Sequence, residues 1–284
     1  MIVRLTRFFL FFVALCVAQP VFAAASPSLV ALEQQLNYLM ASKSADVGIA
    51  AMDLTTGESI SVKGETPFPM ASTVKIAVAA AYLDQVDHGR RSLYDTIGKE
   101  KARDLMAKML IHSDNRATDK LIYDLGGPRA VQQWLDFHGF KNIRIDRSIA
   151  QLLKDPRDLW DRRDSSTPLA MVDLLRRLDR GNILSNSSRG TLLNFMAQCK
   201  TGKNRMKALL PEGTLVEHKT GTLSGLSDDV GYVTMPDGRR VAIAIFTRGG
   251  ADRPRTIAEA ARALYDGFRS VVTWSFRPPI SATQ

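Results

Sequence analysis

The sequence has few cysteines, no internal repeat and no low-complexity block. Its 284 residues contain two cysteines, Cys16 and Cys199, and Cys16 lies in a hydrophobic segment at the N-terminus. A fold that depends on disulfide bonds is therefore excluded for the rest of the chain. Hydrophobic residues make up 45% of the sequence, which is sufficient for a core in one large domain or in two joined lobes. We interpret Cys199 as a packing residue without a chemical role.

The chain also lacks a long hydrophobic run beyond its N-terminal segment, so no later stretch reaches the roughly 18 to 20 apolar residues that span a membrane. Arg4 and Arg7 precede an apolar run over residues 8–18, and Val21-Phe22-Ala23 then offers small residues at the positions that a signal peptidase recognises. This pattern is typical of a secretory signal peptide. We expect cleavage after Ala23 and a periplasmic mature protein without stable membrane insertion. The sequence leaves open whether Cys16 is a lipid attachment site.

Positive charge is not concentrated in any part of the chain. The formal net charge is +9, from 38 Lys and Arg against 29 Asp and Glu, and basic residues are mixed with acidic ones. A nucleic-acid-binding surface requires clustered positive charge. We therefore expect a basic secreted protein that does not bind nucleic acid. We further expect a monomer.

Ser72 and Lys75 lie one helical turn apart at the start of an apolar, alanine-rich segment over residues 73–83. A serine at the start of a buried helix lies at the positive end of the helix dipole, and a lysine one turn later shares its face. Serine is a weak nucleophile until a neighbouring base takes its proton, and a lysine in apolar surroundings has a lowered pKa. The spacing predicts a nucleophile and its base, although a serine here is equally typical of an ordinary helix cap.

Two further short motifs follow along the chain. One falls at a junction between two predicted helices, and the other falls on a predicted strand. Their residues are Ser113-Asp114-Asn115 and Lys219-Thr220-Gly221-Thr222. In this order, the three motifs are the signature of the serine β-lactamases and penicillin-binding proteins. The sequence resembles class A β-lactamases over nearly the whole predicted mature length.

Predicted strands lie near both ends of the chain, and predicted helices lie between them. This order indicates an α/β (α+β) fold in which the N-terminal hairpin joins the C-terminal strands in one antiparallel sheet, flanked by terminal helices and joined to an all-helical lobe. The resemblance implies the same β-lactamase/D,D-peptidase fold. The predicted units are a signal peptide (1–23), an α/β lobe (24–66 together with 212–284) and an all-α lobe (67–211), with the site in the cleft between the lobes.

The resemblance implies three catalytic residues. Ser72 attacks an amide carbonyl, Lys75 accepts its proton, and Ser113 relays a proton to the departing nitrogen. Arg147 and Asp164 resemble the ion pair that joins the two ends of the long loop in this family.

The resemblance also implies five substrate-binding residues. Lys219 and Thr220 bind the substrate carboxylate, and Gly221 lets that carboxylate approach the strand. Asn115 offers its amide to the acyl side chain and can hold the lysine of the first motif. The backbone N–H groups of Ser72 and Thr222 form an oxyanion hole. No metal and no cofactor are expected.

The long loop, residues 146–168, departs from the family pattern. Class A enzymes carry a glutamate two residues after the loop arginine and an asparagine four residues later. Counting from Arg147, these positions are Ile149 and Leu153, and neither side chain can activate a water molecule. We interpret the loop as lacking regular structure.

The loop contains three aspartates that offer an alternative source of this base. They are Asp155, Asp158 and Asp161. One of them could replace the missing glutamate, although aspartates in loops are usually solvated.

The leading hypothesis is a secreted serine hydrolase that opens β-lactam amides through an acyl-enzyme and deacylates slowly. A peptidase or esterase acting on D-Ala-D-Ala-like envelope material is the nearest alternative, because the segment between Lys75 and Ser113 is short and predicts an open cleft. A third possibility is a β-lactam sensor that stays acylated, since the acylation motifs are intact while the deacylating glutamate is missing.

Overall fold

The computed structural model describes residues 27–156 and 158–275, and the predicted signal peptide lies outside the described residues. The helices are α1 (Pro27–Ala41), α2 (Lys75–Asp87), α3 (Ala102–Ile111), α4 (Asn115–Asp124), α5 (Pro128–Phe137), α6 (Ile149–Lys154), α7 (Pro168–Asp179), α8 (Asn186–Ala197) and α9 (Arg253–Ser275). The strands are β1 (Asp46–Asp53), β2 (Ser59–Val62), β3 (Phe68–Pro69), β4 (Thr96–Ile97), β5 (Glu100–Lys101), β6 (Ser165–Ser166), β7 (Val216–Leu223), β8 (Leu226–Thr234) and β9 (Arg240–Arg248).

Five strands form one antiparallel sheet in the order β2-β1-β9-β8-β7. Strand β1 pairs with β9 along its whole length, from Asp46 opposite Arg248 to Asp53 opposite Val241. The N-terminal hairpin therefore lies beside the C-terminal strands, which confirms the predicted sheet. Strand β7 forms an edge of this sheet, so one side of its backbone faces away from the other four strands.

The sheet separates two hydrophobic clusters, because alternate residues of each strand face opposite sides. On β1, Ala50 and Met52 belong to the cluster formed with the helices of the middle of the chain. Ile49 and Ala51 belong to the cluster formed with α1 and α9. The fold is therefore of the predicted α/β (α+β) type, with the terminal helices on one face of the sheet. The assignment of residues 24–66 and 212–284 to one lobe, and of 67–211 to the other, stays a prediction.

Helix α2 lies at the centre of the helical side, and its residues from Lys75 to Asp84 are all buried. It ends at Asp87, and Gly89 follows with a positive φ of 66°, as expected for a glycine that ends a helix. Within the part of the chain that the structure describes, no helix has the length and hydrophobicity needed to cross a membrane.

The prediction that residues 146–168 lack regular structure is wrong in part, because this segment contains helix α6. The carboxylate of Asp119 on α4 accepts the backbone N–H groups of Ile149 and Ala150 at 2.7 and 2.8 Å. These are N–H groups of the first turn, which have no partner inside a helix. A six-residue helix is too short to show a hydrophobic period, and part of its stabilisation comes from another helix.

Arg147 and Asp164 form the predicted ion pair at the two ends of this segment. Nε of Arg147 lies 2.6 Å from Oδ2 of Asp164, and both residues are buried. The guanidinium of Arg147 also donates to Asp155 at 2.8 Å and to Asp161 at 3.0 Å. Arg147 therefore joins both ends of the segment to its middle.

Replacing Arg147 by alanine should lower the free energy of unfolding by about 3 kcal/mol, because removal of one partner from a buried ion pair leaves the other charge uncompensated. Urea denaturation followed by tryptophan fluorescence measures the loss. Arg163→Ala is the matched control, since Arg163 contacts Asp155 and Asp161 from an exposed position and exposed pairs contribute little. Equal losses in the two variants would contradict this interpretation of Arg147.

Candidate active site

Ser72 lies in a 3₁₀ turn, Ala71–Val74, that leads directly into α2. The residue before it, Ala71, has a φ of 45°, a left-handed conformation that is strained for a residue other than glycine. The N–H of Met70 donates to the carbonyl of Asp164 at 2.9 Å, which ties the turn to the base of the long loop. The half-buried side chain of Ser72 therefore lies at the N-terminal end of a buried helix, as predicted.

The amine of Lys75 lies in a buried polar pocket. Its Nζ donates to the carbonyl oxygen of Ser113 at 2.7 Å, to Oγ of the same residue at 3.1 Å and to Oδ1 of Asn115 at 2.8 Å. Burial and the charge of Lys219 lower the pKa of Lys75 to about 7, although nearby carboxylates act in the opposite direction. A large fraction of the molecules therefore carries a neutral amine near pH 7, and a neutral amine can accept a proton.

Ser113 connects two lysines at the predicted junction between helices. Its Oγ lies 3.1 Å from Nζ of Lys75 and 3.0 Å from Nζ of Lys219. Its backbone has a φ of 59°, and the next residue, Asp114, caps α4 by accepting the N–H of Ala117 at 2.7 Å. The bridging hydroxyl is therefore held by a strained backbone, in a position suited to pass a proton between an amine and a bound molecule.

Lys219 and Thr220 lie side by side on the edge strand β7. The Nζ of Lys219 also donates to the carbonyl of Thr220 at 2.9 Å. Burial lowers the pKa of Lys219 to about 8, so most molecules keep the positive charge at pH 7. The hydroxyl of Thr220 contacts the hydroxyl of Thr201 at 2.5 Å. This part of β7 thus offers a cation and a hydroxyl, which together can bind a carboxylate.

Gly221 and Thr222 continue β7 beside the turn that carries Ser72. A Cβ atom at position 221 would lie 2.8 Å from the carbonyl oxygen of Met70 and 3.1 Å from Cβ of Ala71. The predicted approach of a ligand is one reason for glycine at this position. The direct packing of β7 against the turn is a second reason. This packing brings the segments that carry the backbone N–H groups of Ser72 and Thr222 together, as an oxyanion hole requires.

Arg205 supports the end of β7 and was not identified from the sequence. Its guanidinium donates to the carbonyls of Gly221 and Asp228 at 2.7 and 2.9 Å and to the hydroxyl of Thr222 at 2.6 Å. The arginine lies in a connecting segment without a motif, so no sequence signal could have found it.

Asp119 is a second residue that the sequence analysis missed. It lies one turn after Asn115 on α4, and this i, i+4 spacing from a motif residue is the signal that could have found it. Its charge acts to raise the pKa of Lys75, and both of its oxygens accept N–H groups at the start of α6. Asp119 therefore positions α6 beside the lysine pocket.

Ile149 and Leu153 bring no polar side chain to this region. Ile149 is buried, whereas Leu153 is 48% exposed. Of the three loop aspartates, Asp155 and Asp161 bind the guanidinium of Arg147. The third, Asp158, accepts a backbone N–H of the loop at 2.8 Å. The loop aspartates thus interact with the loop itself.

The site combines a hydroxyl, an amine close to neutrality, a bridging hydroxyl and a buried cation. This set can activate a nucleophile, bind an anionic substrate and return a proton to a leaving group. Over residues 27–156 and 158–275, no three His, Cys, Asp or Glu side chains are grouped as a metal site would require.

The chain is similar to known proteins in its family, its sequence and its fold. Residues 31–268 match the model of the family described as the beta-lactamase enzyme family. Similar proteins include the extended-spectrum beta-lactamase PER-1 of Pseudomonas aeruginosa, which is 30% identical with 82% of this chain and 86% of the relative covered. A beta-lactamase of Bacteroides uniformis is 30% identical with 84% and 91% covered. The crystal structure of a beta-lactamase from Chitinophaga pinensis DSM 2588 matches at a TM-score of 0.78 and 30% identity, over 84% of this chain and 99% of that chain.

Proposed function

Because the chain belongs to the beta-lactamase enzyme family, we propose that it is a serine hydrolase that opens β-lactam amides through an acyl-enzyme on Ser72. The observation that carries this proposal is the amine of Lys75, one turn after Ser72, whose pKa is lowered to about 7 by burial and by Lys219. A base with a pKa near the working pH is suited to take a proton from a hydroxyl.

Acylation then begins with attack by Ser72 and ends with a proton on the nitrogen of the opened ring. Lys75 accepts the proton of Ser72, and the freed Oγ attacks the carbonyl carbon of the β-lactam. When the C–N bond of the ring breaks, the nitrogen takes a proton from the hydroxyl of Ser113, which is replaced by the proton on Lys75. The distance of 3.1 Å between Nζ of Lys75 and Oγ of Ser113 supports this return path.

Substrate binding uses the remaining motif residues. Lys219 and Thr220 bind the carboxylate of a penicillin-like substrate, and the backbone N–H groups of Ser72 and Thr222 stabilise the negative oxygen that forms during attack. Asn115 holds Lys75 at 2.8 Å and presents its amide to the acyl side chain.

Deacylation is proposed to be slow. Ile149 occupies the position of the family glutamate, and the carboxylate of Asp119 is occupied by two backbone N–H groups. These two observations favour a second candidate function, in which the protein binds a β-lactam covalently and remains acylated as a sensor. The rate of deacylation decides between β-lactam hydrolysis and a sensor that remains acylated.

We also propose that the protein is a periplasmic monomer, released after cleavage of the signal peptide. An α/β lobe and an all-α lobe then lie on either side of the site. Its partner is a small-molecule β-lactam, and D-Ala-D-Ala-like peptides are the alternative substrate class.

The acyl-enzyme is tested by intact-mass spectrometry with benzylpenicillin. The wild type should gain the mass of one penicillin per chain, and Ser72→Ala should gain none, because the nucleophile is missing. Ser224→Ala is the matched control, since Ser224 is an exposed serine on the turn after β7. An adduct on Ser72→Ala would contradict the assignment of the nucleophile. A wild type that shows neither an adduct nor hydrolysed penicillin would contradict the function.

The pH dependence of acylation tests the role of Lys75. Only the neutral amine accepts a proton, so the rate constant should rise with pH and level off above about 7. With penicillin, the rate should fall again above about 8, as Lys219 loses its charge. The neutral ester p-nitrophenyl acetate should lack this second limb.

A pair of variants separates the role of Lys75 as a base from a purely structural role. In Lys219→Ala, the first limb should move to higher pH with the neutral ester, because the charge that helps to lower the pKa of Lys75 is gone. The exposed Lys200 provides the control Lys200→Ala, which should leave the limb in place. A first limb that stays unchanged in Lys219→Ala is incompatible with Lys75 as the base.

Deacylation should limit the turnover of penicillin. Stopped-flow kinetics should show a burst of one equivalent followed by a slow steady state, because a positioned base contributes typically 10² to 10⁴-fold. Ile149→Glu should accelerate the second phase. Gln151→Glu adds the same charge to an exposed position of α6 and should have no such effect. Rapid turnover of the wild type without a burst would refute the proposed slow step.

A further inference from the structure

Three buried side chains take no part in the proposed reaction. They are His218 on β7, Asp229 on β8 and Cys199 after α8. Nδ1 of His218 donates to Oδ1 of Asp229 at 2.7 Å, and both side chains are fully buried. Asp229 also accepts the backbone N–H of Met206 at 3.1 Å through its other oxygen. The carboxylate therefore fixes the ring of His218 and favours its positive charge. Cys199, which follows α8, is the neighbouring thiol and is not in a disulfide.

The second nitrogen of His218 faces this thiol. Nε2 is buried and has no conventional hydrogen-bond partner. Burial acts to lower the pKa of His218, but Asp229 and the sulfur of Cys199 raise it to about 9. Burial acts to raise the pKa of Cys199, but the interactions with His218 and Lys219 lower it to about 6. Both shifts favour a thiolate beside an imidazolium.

The thiol is also connected to the substrate-binding strand. Sγ of Cys199 lies 3.2 Å from Oγ1 of Thr201, and that oxygen lies 2.5 Å from Oγ1 of Thr220. Space between these segments is limited, since a Cβ at position 202 would lie 2.4 Å from a methyl carbon of Thr220. An oxygen added to the sulfur on the side of Thr201 would displace the hydroxyl of Thr201 and, with it, its contact to Thr220.

We propose that Cys199 is a modification site for small peroxides and that its oxidation weakens carboxylate binding at Thr220. The sulfur of the thiolate attacks one oxygen of hydrogen peroxide, an S–O bond forms and the O–O bond breaks. The sulfur loses two electrons to the peroxide. The departing hydroxide takes a proton from the imidazolium of His218 and leaves as water, so the products are a sulfenic acid, water and a neutral histidine.

Access to the sulfur selects for small oxidants. Cys199 is 8% exposed, and the neighbouring Thr201 and Gly202 are half-buried. Hydrogen peroxide is close to water in size, whereas glutathione disulfide is many times larger. We therefore expect Cys199 to react faster with hydrogen peroxide than with any bulky disulfide. The effect on Thr220 depends on the proposed function, but the oxidation of Cys199 does not.

The modification is tested on the intact protein with hydrogen peroxide in the presence of dimedone, which traps sulfenic acids. Peptide mapping should place one dimedone adduct on Cys199, and Cys199→Ser should have none at this position. His218→Gln should slow the formation of the adduct by at least about tenfold, because the thiolate loses its counter-charge. No adduct on Cys199, or an unchanged rate in His218→Gln, would overturn the proposal.

The wild type offers a second measurement in case His218→Gln does not fold. The rate of alkylation by iodoacetamide, followed against pH, should show an apparent pKa well below the value of about 8.5 that is usual for a free thiol. An apparent pKa at or above that value would overturn the proposed ion pair.

The connection to Thr220 is tested by the reaction of the oxidised protein with penicillin. Oxidised wild type should react at least about tenfold more slowly with penicillin, while p-nitrophenyl acetate should be affected little, since only penicillin has a carboxylate to bind. Cys199→Ser, treated in the same way, reports the effect of oxidation of the 10 methionines and should keep its rate. An unchanged rate with penicillin overturns the connection. If even untreated wild type never reacts with penicillin, the proposed function fails, while peptide mapping still decides the modification site.

Discussion

Two buried lysine amines share one serine hydroxyl, and the rest of the site depends on this contact. Nζ of Lys75 and Nζ of Lys219 lie 3.1 and 3.0 Å from Oγ of Ser113. Two positive charges this close in a buried place oppose each other, and the charge of Lys219 lowers the tendency of Lys75 to hold a proton. One amine close to neutrality and one cation is the natural outcome. The same contact thus suits Lys75 to its proposed role as a base and Lys219 to its proposed role in binding an anion.

Strained and charged groups around the site hold this arrangement in place. Ala71 and Ser113 both have a left-handed backbone, which is unfavourable for residues with a Cβ and persists only where the surroundings impose it. The surroundings are the buried helix α2, the cap of α4 and the packing of β7 against the turn. Arg147 and Arg205 join the loop and the end of β7 to this framework through buried hydrogen bonds.

Strand β7 carries two kinds of chemistry because its residues alternate between faces. Lys219 donates to Ser113, whereas His218 pairs with Asp229. Thr220 connects the two environments through Thr201. The alternation thus separates His218 from the lysine that is proposed to bind the substrate.

The sequence by itself identified the residues of the proposed acylation step, because Ser72 and Lys75 share a face through helical periodicity alone. The predicted strands at both ends of the chain also indicated that the N-terminal hairpin joins the C-terminal strands, but not the strand order β2-β1-β9-β8-β7. Only the tertiary structure decided the rest. Helix α6 depends on Asp119 from α4, and the character of Cys199 depends on His218 from β7. These contacts join segments far apart in the chain, so no local pattern of residue types encodes them, and a cysteine interpreted as a packing residue acquires its histidine neighbour only in the folded chain.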